Sequence, residues 1–483
     1  MSLRSIVTGT AFASAASVTR ILAQLLVVPI LSRLLTSGDY GLVGIASPFV
    51  AFAMLITDAG VGLSLVRSAS LKDTVSWSSS FWLILLFGSG LALVLTALAP
   101  LVAQVFGEPQ LGPILMVLSF TVVAQAAAVI PGAALQQAKS FSTIAMVEMS
   151  STVVGVAAAV LAAFLGAGFW ALIAQQVVFF TCRCLLTLIY SPFRPRWTFN
   201  FSKIRSHIVF GRDVLGATVV AQIAASLDNL VIGHVLGSSA VGIYAMAMQF
   251  IRLPTIVVTG PLQFVLFSHL ATIKDNLPAI RRTFLLVTRV LGIIIFPSLG
   301  MVAAAHFAFF NILLSEKWSE SSTVFMILAT AGALQTMMAL GGDIMLIMRR
   351  TDLRLRITIE FSLVWLCALL LSVSHGVYWV AIAYNCAVLV YVPRTLWLLL
   401  SLIQCPVTTY LKAVIVPALG TLASIIIYSE VVRIFTPHQY ADAGLAAVLA
   451  IVTAAISALL QLRSLLNESA LLSLGFKSTP NAA

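Results

Sequence analysis

The sequence predicts an all-α polytopic membrane protein, and three observations support this fold class. Of its 483 residues, 60% are hydrophobic and only 9% are charged, whereas a soluble domain is about 25% charged. The mean hydropathy is +1.08. The apolar residues form continuous segments of about 20 residues, the length that a helix needs to cross a membrane, whereas strands of a membrane barrel would alternate over about 10 residues.

Fourteen segments meet this length, and we number the predicted spans in chain order. The first includes AFASAAS, which resembles a signal-peptidase site, but the residues before it are too weakly apolar for a secretory signal. We therefore expect residue 9 to begin the first span. The predicted spans cover residues 9–34, 41–66, 78–104, 111–135, 144–166, 168–190, 209–236, 240–268, 283–314, 321–347, 357–374, 377–402, 410–432 and 442–463.

Basic residues are distributed unevenly between the two sides of the predicted membrane. With the N-terminus in the cytoplasm, Arg33, Lys317 and Arg433 lie outside, and Arg20 and Arg252 lie within spans. The other 22 of the 27 Lys and Arg residues lie on or beside cytoplasmic loops and tails. This positive-inside asymmetry predicts that both termini are cytoplasmic, and it explains the net charge of +11 without a nucleic-acid partner.

One turn motif occurs twice, at a constant offset of 201 residues. RLLTSGDYGLVGIASPF begins at Arg33 and HVLGSSAVGIYAMAMQF begins at His234. Two weaker echoes follow in the same order: VEMS with IEFS, which pairs Glu148 with Glu360, and FWALIA with YWVAIA. Ordered echoes predict a six-span unit that is used twice, with spans 13 and 14 appended.

Both copies start on the same side and contain an even number of spans, so they run in parallel. A parallel repeat predicts a pseudo-twofold axis along the membrane normal and a substrate cavity between the halves. The predicted divisions are an N-terminal lobe (1–190), a cytoplasmic interfacial linker (191–212), a C-terminal lobe (213–402) and the last two spans with a short cytoplasmic tail (403–483).

The linker combines cations and aromatic side chains without an acidic residue. This composition suits a segment at the membrane interface, with aromatic rings at the headgroup level and cations toward anionic lipid. Two interpretations are open: a plain topological anchor between the halves, or capture of a lipid phosphate. The residues concerned are Arg194, Arg196, Trp197, Phe199, Phe201, Lys203, Arg205 and Arg212.

Ionisable residues within the spans are few, and most lie in the repeat-matched spans 1, 2, 7 and 8. Inserting each costs about 2.5–3.5 kcal/mol, so such residues usually face a cavity or a partner. Two roles are open: structural ion pairs between helices, or a central cavity that binds an anionic substrate and a coupling cation. The substrate candidates are Arg20, Gln24, Gln249 and Arg252, and the ion-coupling candidates are Asp58, Asp228 and Asn229.

Three further charged residues lie near the predicted cytoplasmic ends of spans. Glu148 and Glu360 begin spans 5 and 11, and Arg289 lies about two turns into span 9. We expect them at the cytoplasmic entrance of the cavity, and the alternative is that their side chains reach the membrane surface.

The sequence predicts neither an enzyme nor a cofactor or metal site. It contains no GxxxxGK[ST] or HExxH motif, and its five cysteines form no CxxC pair. No soluble domain interrupts the spans. We therefore expect a transporter that is driven by an ion gradient or by the membrane potential.

Three segments carry a family resemblance: VPILSRLLTSGDYGLVGIA, TDAGVGLSLVR and LDNLVIGHVLGSSAVGIYAMAMQFIRLP. Together they resemble the polysaccharide transporter (Wzx-type, O-antigen flippase) branch of the multidrug/oligosaccharidyl-lipid/polysaccharide (MOP) exporter superfamily, and especially its colanic-acid-exporter-like group. The resemblance implies a bacterial inner-membrane flippase with two six-helix lobes in a V around a cationic central cavity. The implied substrate is an undecaprenyl-pyrophosphate-linked oligosaccharide for exopolysaccharide, O-antigen or capsule synthesis. A polysaccharide polymerase and a chain-length regulator are implied partners, besides membrane lipid.

In this resemblance Arg20 and Arg252 match the cationic lining, and Arg67 is a further candidate for the substrate. A planar guanidinium suits the oxygens of a pyrophosphate, which it can bind with two hydrogen bonds. Other functions stay open at this point: cation-coupled multidrug export, transport of a peptidoglycan precursor, or a non-transporting role in membrane assembly.

Overall fold

A computed structural model describes residues 19, 23, 26–58, 60–68, 71, 73–259, 266, 269–435 and 438–477, and their regular secondary structure is helical. Within these residues, twelve helices are long and apolar enough to cross a membrane. They match predicted spans 2–6 and 8–14, which confirms the all-α polytopic fold. Span 1 falls largely outside the described residues, and span 7 lies within one longer helix, Phe201–Leu236.

Helical residues 26–34 precede the first complete helix. The labelled helices are, in chain order, α1 (Ser37–Asp58), α2 (Val61–Ser68), α3 (Thr74–Phe106), α4 (Leu111–Gln137), α5 (Phe141–Phe164), α6 (Trp170–Tyr190), α7 (Phe201–Leu236), α8 (Ser238–Pro254, followed by a π-helical turn at Thr255–Thr259), α9 (Leu277–Ala304), α10 (His306–Leu313), α11 (Ser319–Ile347), α12 (Thr351–Ser372), α13 (Val377–Leu402), α14 (Val407–Phe435) and α15 (Gln439–Lys477).

The first of two compact units comprises Met1–Ala245. Helix α4 lies at its centre and packs against α1, α3 and α6, with Leu111, Ile114 and Leu115 fully buried. Helix α7 also belongs to this unit and packs on α1. The sequence repeat assigns α7 to the C-terminal lobe instead, and the lobe boundaries stay a prediction.

The second unit comprises Met246–Ala483. Helix α9 packs against α11, α14 and α15. Predicted span 9 was wrong as a single helix, because α9 ends at Ala304 and α10 starts at His306. The backbone of Ala305 leaves the helical conformation, with φ −95° and ψ 27°, and the His306 ring bonds to the Ala303 carbonyl at 3.0 Å.

Polar caps mark the starts of three helices. The Asp73 carboxylate accepts hydrogen bonds from the backbone N–H and the hydroxyl of Ser76 at the start of α3. At the start of α7 the Asn200 side chain accepts a hydrogen bond from the backbone N–H of Lys203, and at the start of α9 Asn276 accepts one from that of Ala279. Each cap satisfies a donor that the first helical turn would leave without a partner.

The two repeated turns contact each other within the first unit, where α1 and α8 begin. A Cβ on Gly41 would lie 1.6 Å from the Ser238 carbonyl oxygen, and a Cβ on Gly242 would lie 1.8 Å from that of Ser37. The hydroxyls of Ser37 and Ser239 are 2.8 Å apart. Glycine is therefore required at both positions, because any side chain would collide with backbone.

Candidate functional site

A polar cavity of about 410 Å³ lies within the first unit, between α1, α2, α4, α5, α6 and α7. Its volume is in the range of ligand-binding pockets. Charged and hydrogen-bonding side chains are unusual among membrane-spanning helices, so this lining marks a functional candidate. The polar lining residues are Asp58, Gln125, Gln136, Glu148, Arg183, Thr187 and Thr218.

Arg183 links two other helices of the cavity. Its Nε lies 2.7 Å from Oε1 of Glu148 on α5, and its Nη1 donates a 3.0 Å hydrogen bond to Oε1 of Gln125 on α4. The guanidinium also acts electrostatically on Asp58. Arg183 thus pairs with Glu148, and Asp58 is a second carboxyl group in the same lining.

Helix geometry explains why Glu148 and Arg183 meet. Glu148 lies about two turns after the start of α5, and Arg183 lies about two turns before the end of α6. These consecutive helices are antiparallel, so the two residues have the same depth. Gly155 lets the helices approach closely, because a Cβ there would lie 3.0 Å from the Gln175 carbonyl oxygen.

Asp58 lies at an interruption of predicted span 2. It is the last residue of α1, Gly60 follows in a left-handed conformation (φ 68°), and α2 begins at Val61. Carbonyl dipoles make a helix C-terminus unfavourable for an anion. A carboxylate at this helix end is stabilised by a nearby cation, and Arg183 lines the same cavity.

A related ion pair occurs in the second unit, around Glu360. Arg394 binds this carboxylate with two hydrogen bonds of 2.9 Å, and Arg356 and Tyr391 donate further bonds of 2.9 and 2.8 Å. Glu148 and Arg183 are 35 residues apart, and Glu360 and Arg394 are 34 apart. The sequence echo that pairs the two glutamates therefore extends to their arginine partners.

Other predicted residues in the first unit do not line this cavity. Asp228 is buried in α7, where its Oδ1 accepts from the backbone N–H of Asn229 at 3.1 Å. The Asn229 amide donates to the Gly44 carbonyl at 3.4 Å. Arg67 is exposed at the end of α2.

The remaining candidates are dispersed. Gln249 is half-buried and Arg252 is exposed, both in α8 within the second unit, and Arg289 is buried in α9. Arg20 and Gln24 lie outside the described residues. The structure thus brings Asp58 together with Glu148, and substrate binding by the predicted arginines stays a prediction.

Sequence reasoning missed Arg183 and Gln125. Arg183 was counted among the residues beside a cytoplasmic loop, although it lies inside the candidate span Trp170–Tyr190. The available signal was its depth, which equals that of Glu148 on the preceding span. Gln125 had no such signal, because its role depends on how α4 packs against α6.

Comparisons with known proteins agree with this architecture. Residues 30–323 match the family model described as "Polysaccharide biosynthesis protein". The chain is 24% identical over 426 residues to teichuronic acid biosynthesis protein TuaB of Bacillus subtilis (strain 168), covering 87% of each chain. It is 23% identical over 384 residues to lipopolysaccharide biosynthesis protein WzxC of Escherichia coli (strain K12), covering 77% of this chain and 76% of that one. It is 27% identical over 310 residues to succinoglycan biosynthesis transport protein ExoT of Rhizobium meliloti (strain 1021), covering 64% and 62%.

Two solved structures show the same fold. The lipid II flippase MurJ in an inward closed conformation matches with a TM-score of 0.75 at 14% identity, over 95% of this chain and 100% of that one. An inward-facing MATE-family multidrug transporter of the MOP superfamily matches with a TM-score of 0.63 at 15% identity, over 80% and 94%. The family match covers more than half of the chain, and the two solved structures share its membrane-helical fold. The chain therefore belongs to the polysaccharide biosynthesis protein family and has the fold of MOP-superfamily transporters.

Proposed function

We propose that this chain moves a lipid-linked oligosaccharide unit across the bacterial inner membrane for the synthesis of a surface polysaccharide. The observation that carries this proposal is the charged cavity of about 410 Å³ between membrane-spanning helices. Polar groups cannot cross hydrocarbon without partners, and such a lining can replace the water around a polar head. Relatives named for teichuronic acid, lipopolysaccharide and succinoglycan support the choice of substrate class.

In this proposal the substrate is divided between two environments. The pyrophosphate and sugars pass through polar space by alternating access, while the undecaprenyl tail stays in lipid. Arg20, Arg67 and Arg252 are the candidates for binding the pyrophosphate, since a guanidinium can donate two parallel hydrogen bonds to phosphate oxygens. Both chain termini lie in the cytoplasm, and a polymerase with its chain-length regulator receives the product.

Ion coupling is the second part of the proposal. A cation that enters the cavity of the first unit competes with Arg183 for the carboxylates of Asp58 and Glu148. Binding and release of this cation on opposite sides of the membrane would couple transport to an ion gradient. We expect transport in proteoliposomes to stop when all ion gradients are collapsed. Unchanged transport under that condition would contradict coupling and leave the substrate assignment intact.

Gene deletion tests the main proposal. We expect loss of a surface polysaccharide and accumulation of its lipid-linked repeat unit on the cytoplasmic leaflet, because polymerisation would lack substrate. Expression of the wild-type chain should reverse both effects. A normal polymer without an accumulated intermediate would overturn the proposal.

Cation-coupled multidrug export is a second candidate, and one observation favours it. The charged lining described in the first unit contains two carboxylates for one guanidinium, a balance that suits a cationic guest. Protection of cells from cationic drugs, with unaltered surface polysaccharide after deletion, would support this function instead.

A further inference from the structure

The segment between α6 and α7 has a fixed conformation against α3. Phe193 is buried against the rings of Trp77 and Phe81. The backbone N–H of Arg196 donates to the Ser78 hydroxyl at 3.1 Å, and that of Asn200 donates to the Ser79 hydroxyl at 2.8 Å. These contacts determine which side chains of the linker face outward.

Arg194 has a structural role in this segment. Its Nη1 donates to the carbonyls of Leu188 and Ser191 at 2.7 Å, and its Nη2 donates to Ile189 at 3.0 Å. Leu188 and Ile189 lie in the last turn of α6, where carbonyls have no helical partner, and Ser191 is the residue that follows the helix. Arg194 thus caps α6, and the cations that remain for an outside ligand lie further along the chain.

The outward side of the linker is aromatic. Trp197 stacks on Trp82 with ring centres 4.2 Å apart, and the Trp82 indole N–H donates to the Arg196 carbonyl at 2.8 Å. Trp197 is nevertheless 88% exposed, and Phe199 and Phe201 are 58% and 57% exposed. A cluster of exposed rings on a fixed backbone marks an interaction surface.

Covalent connectivity places this surface at the membrane boundary. Ten residues separate the end of candidate span Trp170–Tyr190 from the start of α7, so the linker starts where the chain leaves the hydrocarbon. Indole rings favour this boundary region. Arg196 and Arg205 are exposed on the same segment, and Lys203 pairs with Asp73 at 3.1 Å.

We propose that this linker surface binds anionic phospholipid headgroups. Trp197, Phe199 and Phe201 insert at the headgroup level, and Arg196 and Arg205 contact the lipid phosphates. Charge complementarity selects anionic over zwitterionic lipid, since each cation near a membrane surface contributes about fivefold in affinity. This inference does not depend on which substrate the chain transports.

Fluorescence quenching by brominated phospholipid tests the proposal in vesicles that contain the full chain. The difference between wild type and Trp197→Phe isolates the emission of Trp197 from that of the other seven tryptophans. We expect brominated phosphatidylglycerol to quench this component more strongly than brominated phosphatidylcholine at equal mole fraction. Arg196→Gln with Arg205→Gln should weaken the preference roughly 25-fold.

The matched control is Arg354→Gln with Lys412→Gln, two exposed cations near the predicted cytoplasmic ends of α12 and α14. We expect this pair to leave the quenching preference at Trp197 unchanged. Absence of quenching by either lipid would overturn the proposal, because Trp197 would then face water or a protein. Equal quenching by both lipids, or an equal effect of the two double substitutions, would also overturn it.

Discussion

At the scale of single residues, Arg183 determines the charge balance of the cavity. It contacts Glu148 and Gln125 on two different helices, and its side chain is only 32% exposed while that of Glu148 is 15% exposed. Removing one member of such a pair leaves the other charge without its partner, which costs more than the pair itself contributes.

We expect Arg183→Gln to lower transport at least tenfold and to destabilise the purified protein. The double variant Arg183→Gln with Glu148→Gln should recover part of the lost stability, with a coupling energy of about 1–3 kcal/mol. Thermal unfolding in detergent measures this cycle. Additive effects of the two substitutions would contradict a direct interaction.

Asp73 gives a pH-dependent prediction outside the spans. Hydrogen bonds from Ser76, together with Lys203, hold the pKa of its carboxyl below the usual value. A lowered folded pKa stabilises the fold above the unfolded pKa of about 3.9, and the contribution is lost as the pH falls through the folded pKa. We expect Asp73→Ala to cost about 1 kcal/mol at pH 7.

The difference between Asp73→Ala and wild type should shrink as the pH falls below about 4. Asp73→Asn is the matched control, because it keeps a capping side chain and removes the titration. Unfolding midpoints between pH 7 and pH 3 measure both variants. A difference that stays constant over this range would contradict the assigned role of the carboxylate.

Residue chemistry in this chain was only partly predictable. Asp58 and Glu148 could be selected because each is an isolated carboxylate in or beside an apolar span. The depth of Arg183 in its span pointed to Glu148, but depth alone does not show which neighbours α6 packs against, so the contact itself was not predictable. Hydropathy places a residue along the membrane normal, but it does not determine which way the residue faces.

At the scale of helices, the repeat is expressed as equivalent contacts. The pairs Glu148–Arg183 and Glu360–Arg394 each join consecutive antiparallel spans about two turns from their ends. The surroundings of the two pairs differ. The first pair lines a cavity, whereas the Glu360 carboxylate also accepts hydrogen bonds from Arg356 and Tyr391. The same helix pair thus provides a ligand-accessible site in one unit and a more fully satisfied cluster in the other.

The glycines of the repeated turns give a prediction at this scale. We expect Gly41→Ala and Gly242→Ala each to destabilise the protein by about 1–3 kcal/mol or more, because the new methyl group would overlap a carbonyl oxygen. Gly38→Ala is the control, since its Cβ would lie 3.7 Å from the nearest atom, the Thr36 hydroxyl. Unfolding midpoints and accumulation in the membrane provide the measurements. Equal tolerance at all three positions would contradict the close contact.

At the scale of the whole molecule, the fold was largely predictable from hydropathy. Membrane helices must satisfy their own backbone hydrogen bonds and be apolar for about 20 residues, so a single sequence is enough to locate the spans. The helix ends at Asp58 and Ala304 were not predicted. Hydropathy averaged over about 20 residues does not detect a change of backbone conformation at one or two residues. The average contains even less information about how the helices pack, and this packing forms the cavity.

A reversible cross-link tests whether the repeated turns must separate during transport. Ser37 and Ser239 have hydroxyls 2.8 Å apart, so Ser37→Cys with Ser239→Cys should form a disulfide once the five native cysteines are replaced. We expect oxidation to lower transport at least tenfold and reduction to restore it. The single variant Ser37→Cys controls for the substitution itself. Full transport by the oxidised double variant would show that the turns stay together throughout the cycle.

The contact between the two turns has the form of an isologous dimer interface. Ser37 contacts Gly242 and Ser238 contacts Gly41. Each turn therefore contributes the same two positions to the contact, as in a twofold-symmetric dimer. Two identical separate chains could form the same reciprocal contact. Each turn therefore needs glycine at this position, since a side chain on either glycine would collide with the serine carbonyl of the other turn. The strongest similarity between the two halves thus lies where the two turns touch.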